Sequence, residues 1–367
     1  MEVPFLTYLH TLILPHICIQ TASFMKRLVC SLCCLLVVPG LVLAQQATDG
    51  EEPIMPVLVT PTPAEARLDS YESRTAFYAR SLVTNVEMAN IGPTVMSGRV
   101  VDLDVNVSDP THFYVAYASG GVWYTDNNGA SFTPIFEREA TPTIGDIAVD
   151  WENNVIWVGT GENNSQRSVG YGDGVYRSVD GGKSFVKAGL DSSEHVARIL
   201  VDPRDSDVVL VAAQGPLWSA GGHRGVYKTT DGGKTWKQVL KGDDDTGANE
   251  VVMDPSNSQV LYASLYQRRR TSCCFNGGGP GSGMFKSTDG GETWTKLTGG
   301  VLDGPLGRIT MDVSRSRPNT LYALIEGPSQ PGGRGGGGRG GGQQEVDPKI
   351  PTGMYRSDDA GATWRKV

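Results

Sequence analysis

A short phrase recurs five times along this chain, and its regular spacing constrains the fold more than any other feature. It consists of a Ser or Thr, an Asp two residues later, a glycine-containing pair, and a Ser or Thr followed by an aromatic residue. Repetition at a period of roughly fifty residues predicts an architecture built from copies of one supersecondary unit. The central residues of the copies are Asp180, Asp231, Asp289 and Asp359, with Asn127 in a weaker first copy.

Each phrase lies between two β-like runs, as Gly225-Val-Tyr-Lys228 and Trp236-Lys-Gln-Val-Leu240 do around the third copy. Aromatic and β-branched residues on both sides of an Asp-Gly-Gly turn predict a hairpin. The Asp and hydroxyl side chains are expected to bond the turn's own backbone, while Gly supplies a positive φ. The trailing Trp or Phe is expected to be buried between neighbouring units. We therefore interpret these phrases as structural.

A second pair of strands precedes each turn, for example Arg198-Ile-Leu-Val-Asp202 with Val208-Val-Leu-Val-Ala212. Four short strands per repeat are typical of the blades of a β-propeller. We therefore predict an all-β propeller with about five blades present. The expected blades are roughly residues 91–137, 138–189, 190–241, 242–298 and 299–367, with a glycine-rich insertion at 327–343.

The turns resemble Asp-box (BNR) repeats, which occur in sialidases, sortilin/VPS10 domains and xyloglucanase-type glycosidases. Residues 91–99, 159–164, 213–218 and 266–270 resemble a narrower group of secreted bacterial proteins that are sortilin-like or glycosyl-hydrolase-like. Closed rings of the sialidase or sortilin type need more than five blades. The resemblance therefore implies an incomplete ring, completed by missing C-terminal blades of the same protein; a five-bladed ring is the alternative. The Asp-box occurs in enzymes and receptors alike, so it does not decide function.

The N-terminal region has the pattern of an export signal. Met25-Lys-Arg27 is basic, residues 28–38 are apolar, and Val42-Leu-Ala44 is a small-residue cleavage site. We expect residues 1–44 to be an extension with a signal peptide at roughly 25–44, and residues 45–90 to be a flexible leader with one short helix. The protein is then secreted or periplasmic, with no stable membrane span after cleavage. An uncleaved membrane anchor is the alternative.

Charge and cysteine content exclude some partners. The net charge of −8 disfavours nucleic acid. Beyond the signal segment only Cys273 and Cys274 remain, and they are open to two interpretations, a ring disulfide between neighbours or a pair of free thiols. Neither has a partner at zinc-ligand spacing, so no metal site and no cofactor are expected.

The connections between strands predict where function lies. In a four-stranded meander the Asp-box turns share one face with the short connections from first to second strands. The long, polar connections gather on the opposite face, which we call the loop-rich face. It comprises the connections at 159–173, 213–224, 265–282 and 327–352 and the linkers at 137–145 and 191–197. Binding or catalysis is expected there.

Aligning the blades by sequence places charges of alternating sign at the start of the inner strands. One interpretation is a ring of ion pairs between blades that neutralises the mouth of the central channel. The other is a polar substrate site. The aligned residues are Arg99, Asp146, Arg198, Glu250 and Arg308.

Glycoside hydrolysis needs two carboxyl groups, roughly 5 Å apart for retention or about 6.5–9.5 Å apart for inversion. The resemblance to xyloglucanase-type enzymes implies an inverting pair of Asp residues, which makes Asp146 and Asp173 the leading catalytic candidates, with Glu162 as a third. A sialidase is disfavoured because the Phe-Arg-Ile-Pro signature is absent.

Two functions therefore compete: a glycosyl-hydrolase-like protein acting on or binding polysaccharide, and a non-catalytic sortilin-like propeller binding peptide or protein. A close carboxylate pair near Trp218 and Tyr171 favours the first, and carboxylates tied to arginines favour the second. The residues expected to bind ligand are Arg99, Asn163, Asn164, Arg167, Tyr171, Arg198, Trp218, Glu250, Tyr266, Arg268 and Arg308.

Overall fold

The computed structural model describes residues 60, 62–86, 98–327 and 352–367. The signal segment, the first part of the leader and nearly all of the glycine-rich insertion lie outside these residues. One α-helix, α1 (Ala64–Ala79), and a 3₁₀ turn (Leu82–Asn85) precede the first strand, in agreement with the short helix expected in the leader. None of the helices in the described ranges is both long and apolar enough to span a membrane.

Five antiparallel sheets follow, and in each the four principal strands lie in chain order, as a meander requires. The prediction of an all-β chain with five four-stranded units is confirmed. The first sheet contains β1 (Val100–Val105), β2 (Phe113–Tyr117), β3 (Gly121–Thr125) and β4 (Thr133–Pro134). The second contains β5 (Ile144–Asp150), β6 (Val155–Thr160), β7 (Val175–Ser178) and β8 (Val186–Lys187). The third contains β9 (Val196–Asp202), β10 (Asp205–Ala213), β11 (Gly225–Thr229) and β12 (Lys237–Leu240). The fourth contains β13 (Thr246–Asp254), β14 (Asn257–Arg270), β16 (Gly283–Ser287) and β17 (Thr295–Lys296), with β15 (Phe275–Gly277) paired to the end of β14. After a 3₁₀ turn (Gly300–Asp303), the fifth contains β18 (Ile309–Val313), β19 (Leu321–Ile325), β20 (Gly353–Ser357) and β21 (Arg365–Lys366).

The sheets pack face to face around their first strands. β1, β5, β9 and β13 each lie beside the first strand of the next sheet, the last of these strands being β18. Four apolar clusters fill the spaces between neighbouring sheets. Trp157 on β6 is fully buried, and every residue of that strand is buried, because both faces of the second sheet are covered. The core is therefore a series of layers between blades.

The Asp-box turns form as the repeat predicts. In the second sheet the Ser178 hydroxyl donates to Asp180 at 2.7 Å and accepts the Gly182 N–H at 2.9 Å. Asp180 also accepts the backbone N–H of Ser184 at 3.0 Å. Gly182 has a φ of +86°, where a side chain would be strained. The same bonds recur around Asn127, Asp231, Asp289 and Asp359.

Each Asp-box turn is also bonded to the connection between the first and second strands of its sheet or to the beginning of the second strand. The Gly181 N–H donates to Asn154 at 3.1 Å, and the Gly232 N–H donates to Asp207 at 3.1 Å. Equivalent backbone bonds occur in the other three sheets. These two sets of connections therefore share one face, as expected, and the long connections lie on the opposite face.

The outermost faces of the first and fifth sheets expose apolar side chains. Leu103 and Val105 on β1 are exposed, as are Leu324 on β19 and Met354 on β20. In the second, third and fourth sheets, the residues at the equivalent strand positions are covered by the neighbouring sheet. Both outer faces thus resemble the covered faces of the inner blades.

Cys273 and Cys274 are joined by a disulfide. They lie at the tip of the hairpin formed by the end of β14 and β15. The Thr271 N–H donates to Cys274 at 2.9 Å, which closes the tip. Of the two interpretations open from sequence, the structure has the neighbouring pair.

Candidate functional site

Strand register identifies which residues are equivalent among the five first strands. The third strand of each sheet offers a common reference point, the residue that directly follows the Gly at its start. In the first sheet this residue is Val122, which pairs with Ala116 on the second strand, and Ala116 pairs with Asp102 on the first strand. By this criterion the equivalent residues are Asp102, Asp146, Arg198, Glu250 and Thr310.

The sequence alignment was therefore wrong in the first and fifth sheets, where it chose Arg99 and Arg308. β-bulges precede the position in the first four sheets, and no register shift is recorded in β18 of the fifth. A bulge inserts a residue that periodicity does not reveal. The charge order along the first strands is consequently minus, minus, plus, minus, neutral.

Arg198 is the centre of a polar network that joins all five sheets. Its Nε donates to Glu250 at 2.7 Å, and its Nη1 donates to Asp146 at 3.1 Å. Asp102 lies 3.9 Å from the same Nη1. The Thr310 hydroxyl donates to the second oxygen of Glu250 at 2.6 Å, which brings in the fifth sheet. These contacts match the ion-pair interpretation, with Asp102 and Thr310 in place of Arg99 and Arg308.

The carboxylates of this network also hold the strands together. Asp146 accepts the Ile199 N–H at 2.7 Å, and Asp102 accepts the Ile147 N–H at 3.2 Å, each from the next blade. Burial raises the pKa of Asp146 well above its ordinary value, although the Arg198 guanidinium opposes that rise. A buried carboxyl with a raised pKa is a feature of general acids. The hydrogen bond from Ile199 on β9 to Asp146 is, however, also what a structural residue would form.

The network lies at the loop-rich end of a central cavity of about 1010 Å³, which is lined by the first strands of all five sheets. Asp102, Arg198, Glu250 and Thr310 contribute to its wall, while Asp146 does not. Pro203 and Pro255 line the end nearest the Asp-box face. The cavity therefore runs along the axis about which the sheets are arranged.

Asp173 lies in a different environment. Its carboxylate accepts the phenol of Tyr176 at 2.9 Å and the hydroxyl of Thr160 at 3.4 Å, and it lies 3.4 Å from Lys187 Nζ. The Asp173 carboxyl is buried. The pKa of Tyr176 is raised, first by burial and then by the negative charge and hydrogen bond of Asp173. No hydrogen bond or ion pair among the described residues links Asp173 to Asp146. The structure gives each carboxyl its own set of partners.

Glu162 is buried at the start of the 161–173 connection and accepts Arg99 Nε at 2.9 Å. Its carbonyl oxygen accepts Nδ1–H of His195 at 2.9 Å. Burial, helped by the nearby positive charge of Arg268, lowers the pKa of His195 well below its usual range. His195 therefore stays neutral and orients the loop rather than exchanging protons with solvent.

The same connection is held across the loop-rich face by the fourth sheet. Arg268 Nη1 donates to the Asn164 carbonyl at 2.7 Å, and Arg270 Nε donates to the Ser165 carbonyl at 3.0 Å. Both guanidiniums are buried, and so is Tyr266. Tyr266 and Arg268 are therefore not presented to a ligand on the surface, contrary to the expectation from sequence. Strand β14 is long enough to carry them inward beneath the loop.

The exposed members of the predicted site lie around this loop. Tyr171 is 59% exposed, Arg167 is exposed, and Trp218 is half-buried in the 214–224 connection. Asn163 and Asn164 are half-buried. These residues can contact a ligand without any rearrangement of the core.

Sequence reasoning missed several polar residues that organise this face. Asn249 on β13 accepts Arg308 Nε at 2.9 Å and Gln214 Nε2 at 2.6 Å, so it links the third, fourth and fifth sheets. Arg67 on α1 donates to the Asp191 carbonyl at 2.6 Å and to Glu194 at 3.3 Å. Asp102 could have been found, since it repeats the acidic position of Asp146, whereas no local pattern distinguishes Asn249. Within the ranges that the structure describes, no group of three or more His, Cys, Asp or Glu is arranged to hold a metal ion.

Known proteins resemble the chain in sequence and in fold. Residues 173–323 match the family model described as sortilin, neurotensin receptor 3. The xyloglucanase Xgh74A of Acetivibrio thermocellus is 24% identical over 267 residues, which are 65% of this chain and 29% of that protein. A probable oligoxyloglucan-reducing end-specific xyloglucanase of Neosartorya fischeri is 31% identical over 134 residues, which are 33% of this chain and 14% of that protein.

Among solved structures, the crystal structure of an ancestral GH74 enzyme superposes with a TM-score of 0.52 at 20% identity. The match covers 76% of this chain and 33% of that one. The chain thus spans less than a third of the curated relatives it matches and a third of the structural neighbour. It is an all-β propeller chain similar to sortilin domains and to parts of larger GH74 enzymes.

Proposed function

We propose that this chain recognises a polysaccharide through its loop-rich face and does not hydrolyse it. The observation that carries the proposal is that each candidate catalytic carboxylate is buried and already bonded inside the protein. Asp146 and Glu250 are held by Arg198, Glu162 by Arg99, and Asp173 by Tyr176 and Lys187. An inverting glycosidase needs one carboxyl to donate a proton and another to activate water at the same bond.

The exposed side chains of the loop-rich face indicate the class of ligand. Tyr171 offers an exposed ring face, and Trp218 a partly exposed one. Sugar rings have apolar faces that stack on aromatic side chains, and their hydroxyls bond exposed amides such as that of Gln166. The distant relatives named as xyloglucanases support a glycan over other ligands. Xyloglucan is accordingly the first polysaccharide to test.

Binding should be measured by calorimetry with the full-length chain against xyloglucan and a panel of other polysaccharides. Tyr171→Ala and Trp218→Ala are each expected to weaken binding roughly 3–10-fold. Phe132→Ala is the matched control, because Phe132 is also exposed, at 41%, but lies in an Asp-box turn on the opposite face. Equal affinities for Tyr171→Ala and the wild type would contradict the proposed site.

Hydrolysis of the same polysaccharides should be followed in parallel by release of reducing ends. We expect no turnover by the wild type. Turnover that disappears in a folded Asp146→Asn or Asp173→Asn variant would overturn the non-catalytic proposal and identify a catalytic carboxyl. Asp146→Asn is the more informative of the two variants, because the raised pKa of Asp146 suits a general acid.

The second candidate is recognition of a peptide or protein, and it is favoured by the match of residues 173–323 to the sortilin family model. A panel of peptides in the same calorimeter separates the two. Peptide binding that Tyr171→Ala weakens, with no glycan binding, would replace the polysaccharide proposal.

A further inference from the structure

Arg268 is a fully buried arginine with an unusual hydrogen-bonding pattern. It lies near the end of β14, beneath the 161–173 connection, and its side chain has no exposed surface. Nη1 donates to the Asn164 carbonyl at 2.7 Å. Nε and Nη2 are buried with no hydrogen-bond partner. These two nitrogens form one edge of the guanidinium, the edge that binds carboxylates with two parallel bonds.

Other arginines of the chain use that same edge to hold an oxygen. Arg204 Nε and Nη2 donate to the two oxygens of Asp202 at 2.9 and 2.6 Å. The edge of Arg99 contacts Glu162, that of Arg356 contacts Asp358, and that of Arg270 contacts the Ser165 carbonyl. In the part of the chain that the structure describes, Arg268 is the arginine in which both atoms of the edge are buried and unpartnered.

The surroundings of Arg268 add positive charge and do not neutralise it. The charged side chains that lower the pKa of Arg268, after burial, are those of Arg224 and Arg308. Arg224 donates to the carbonyl oxygens of Gln214 and Ser219 at 2.7 and 2.9 Å, and Arg308 donates to the amide oxygen of Asn249. Both are therefore bonded to neutral acceptors, while the carboxylates of Asp245, Asp243 and Glu194 act on Arg224 through space. The nearby phenol of Tyr266 is neutral at pH 7, since burial raises its pKa.

Burial lowers the pKa of Arg268 to about 9, which still leaves the side chain protonated at neutral pH. A buried charge without a counter-charge is costly, and proteins compensate for it with an ion or with a full set of hydrogen bonds. Arg268 has one hydrogen bond from five possible donors. Geometry and charge thus both make the Nε and Nη2 edge suited to a negatively charged acceptor.

We propose that this edge of Arg268 binds a small anion, of halide or carboxylate size, enclosed between β14 and the 161–173 connection. The anion accepts both N–H groups and balances the buried charge of Arg268. A polysaccharide cannot reach the edge, because the side chain is enclosed. The ion instead stabilises the contact between Arg268 and Asn164, and so fixes the loop that carries the exposed residues of the proposed recognition site.

The test is thermal unfolding of the full chain in sodium chloride and sodium bromide, with sodium gluconate at the same ionic strength as the control for screening. We expect a saturable rise in Tm on the order of 2 °C with either halide and none with gluconate, which is too large to enter. Arg268→Gln should lose the halide response. Arg204→Gln, which removes a solvent-exposed ion pair with Asp202, should keep it.

A second measurement does not depend on any variant being folded. Crystals of the wild-type chain grown in bromide should show an anomalous peak next to Nε and Nη2 of Arg268. Water alone at that edge, or bromide bound only at other places, would overturn the proposal. An equal response to halide and gluconate in the wild type would also overturn it, while leaving glycan recognition at Tyr171 untouched.

Discussion

Trp236 in the third sheet donates its indole N–H to the carbonyl oxygen of Ala188, immediately after the last strand of the second sheet, at 2.6 Å. The aromatic residue that ends an Asp-box phrase thereby connects two blades. Trp294 and Trp364, at the same position of later copies, instead donate to Gly291 and Gly361 of their own turns at 3.1 Å. One sequence position thus has two structural roles.

We expect Trp236→Phe to lower the free energy of unfolding by about 1–2 kcal/mol, because the buried Ala188 carbonyl loses its donor. Trp294→Phe should cost about half as much, since its longer bond closes within one turn. Urea denaturation of both variants measures the difference. Equal losses would mean that the bond between blades adds nothing beyond the local one.

In the three turns that contain a Gly-Gly pair, the second glycine is expected to tolerate a side chain poorly. A Cβ on Gly233 would lie 2.9 Å from the Ala188 Cβ and 3.1 Å from the Trp157 ring, at a φ of +85°. Gly233→Ala should therefore cost about 2–4 kcal/mol, from backbone strain and overpacking together. Gly221 is the matched control, because its φ is +74° but nothing lies within 4 Å of its Cβ position.

Gly221→Ala should cost only about 1–2 kcal/mol, the contribution of the left-handed backbone alone. Denaturant midpoints of the two variants separate crowding from strain. A loss for Gly221→Ala as large as that for Gly233→Ala would show that packing between the blades is not the reason for glycine.

Removing Arg198 should leave Asp146 and Glu250 as buried carboxyls without their shared cation. We expect Arg198→Gln to cost roughly 2–3 kcal/mol, which is less than for a fully enclosed pair because the Arg198 side chain is 38% exposed. The control is Arg204→Gln, whose ion pair is 63% exposed on the arginine side and should contribute much less to the free energy of unfolding. Similar losses for both would contradict the central position of Arg198.

Acid should weaken the Asp-box turns. Hydrogen bonds from the Ser184, Thr235 and Thr363 hydroxyls, followed by backbone N–H groups, lower the pKa of Asp180, Asp231 and Asp359 to about 2 from an ordinary value of 3.8. The folded pKa lies below the unfolded one, so the stabilisation is complete above about pH 4. It is lost as the pH falls from about 4 towards 2.

Urea unfolding between pH 2 and pH 5 measures this dependence. Asp231→Asn should flatten the slope without breaking the turn, because Asn127 already occupies that position in the first copy and accepts the Ser131 N–H at 3.0 Å. A slope in Asp231→Asn identical to that of the wild type would rule out Asp231 as a source of the acid sensitivity.

Much of the fold followed from local chemistry. The Ser178, Asp180 and Gly182 bonds close within one turn, so a reader of the sequence could place the turn, both flanking strands and the face on which the turn lies. The alternation of short and long connections then located the loop-rich face. Tyr171 was correctly expected on the surface there, because it lies in a long polar connection.

The candidate site depended on contacts that local patterns do not encode. A bulge in β1 and an unbroken register in β18 place Asp102 and Thr310, and not Arg99 and Arg308, in the network around Arg198, because one extra residue changes the register of a whole strand. The length of β14 buried Tyr266 and Arg268 beneath a loop from another blade.

The sequence by itself thus determined the repeating unit, since each turn is stabilised by residues within eight positions of one another. Only the tertiary structure decided which carboxylates are tied to arginines and which side chains remain exposed. The partners Arg198 and Glu250 are 52 residues apart, and Arg268 and Asn164 are 104 residues apart. Such pairs form when separate blades pack, and no pattern within one blade specifies them.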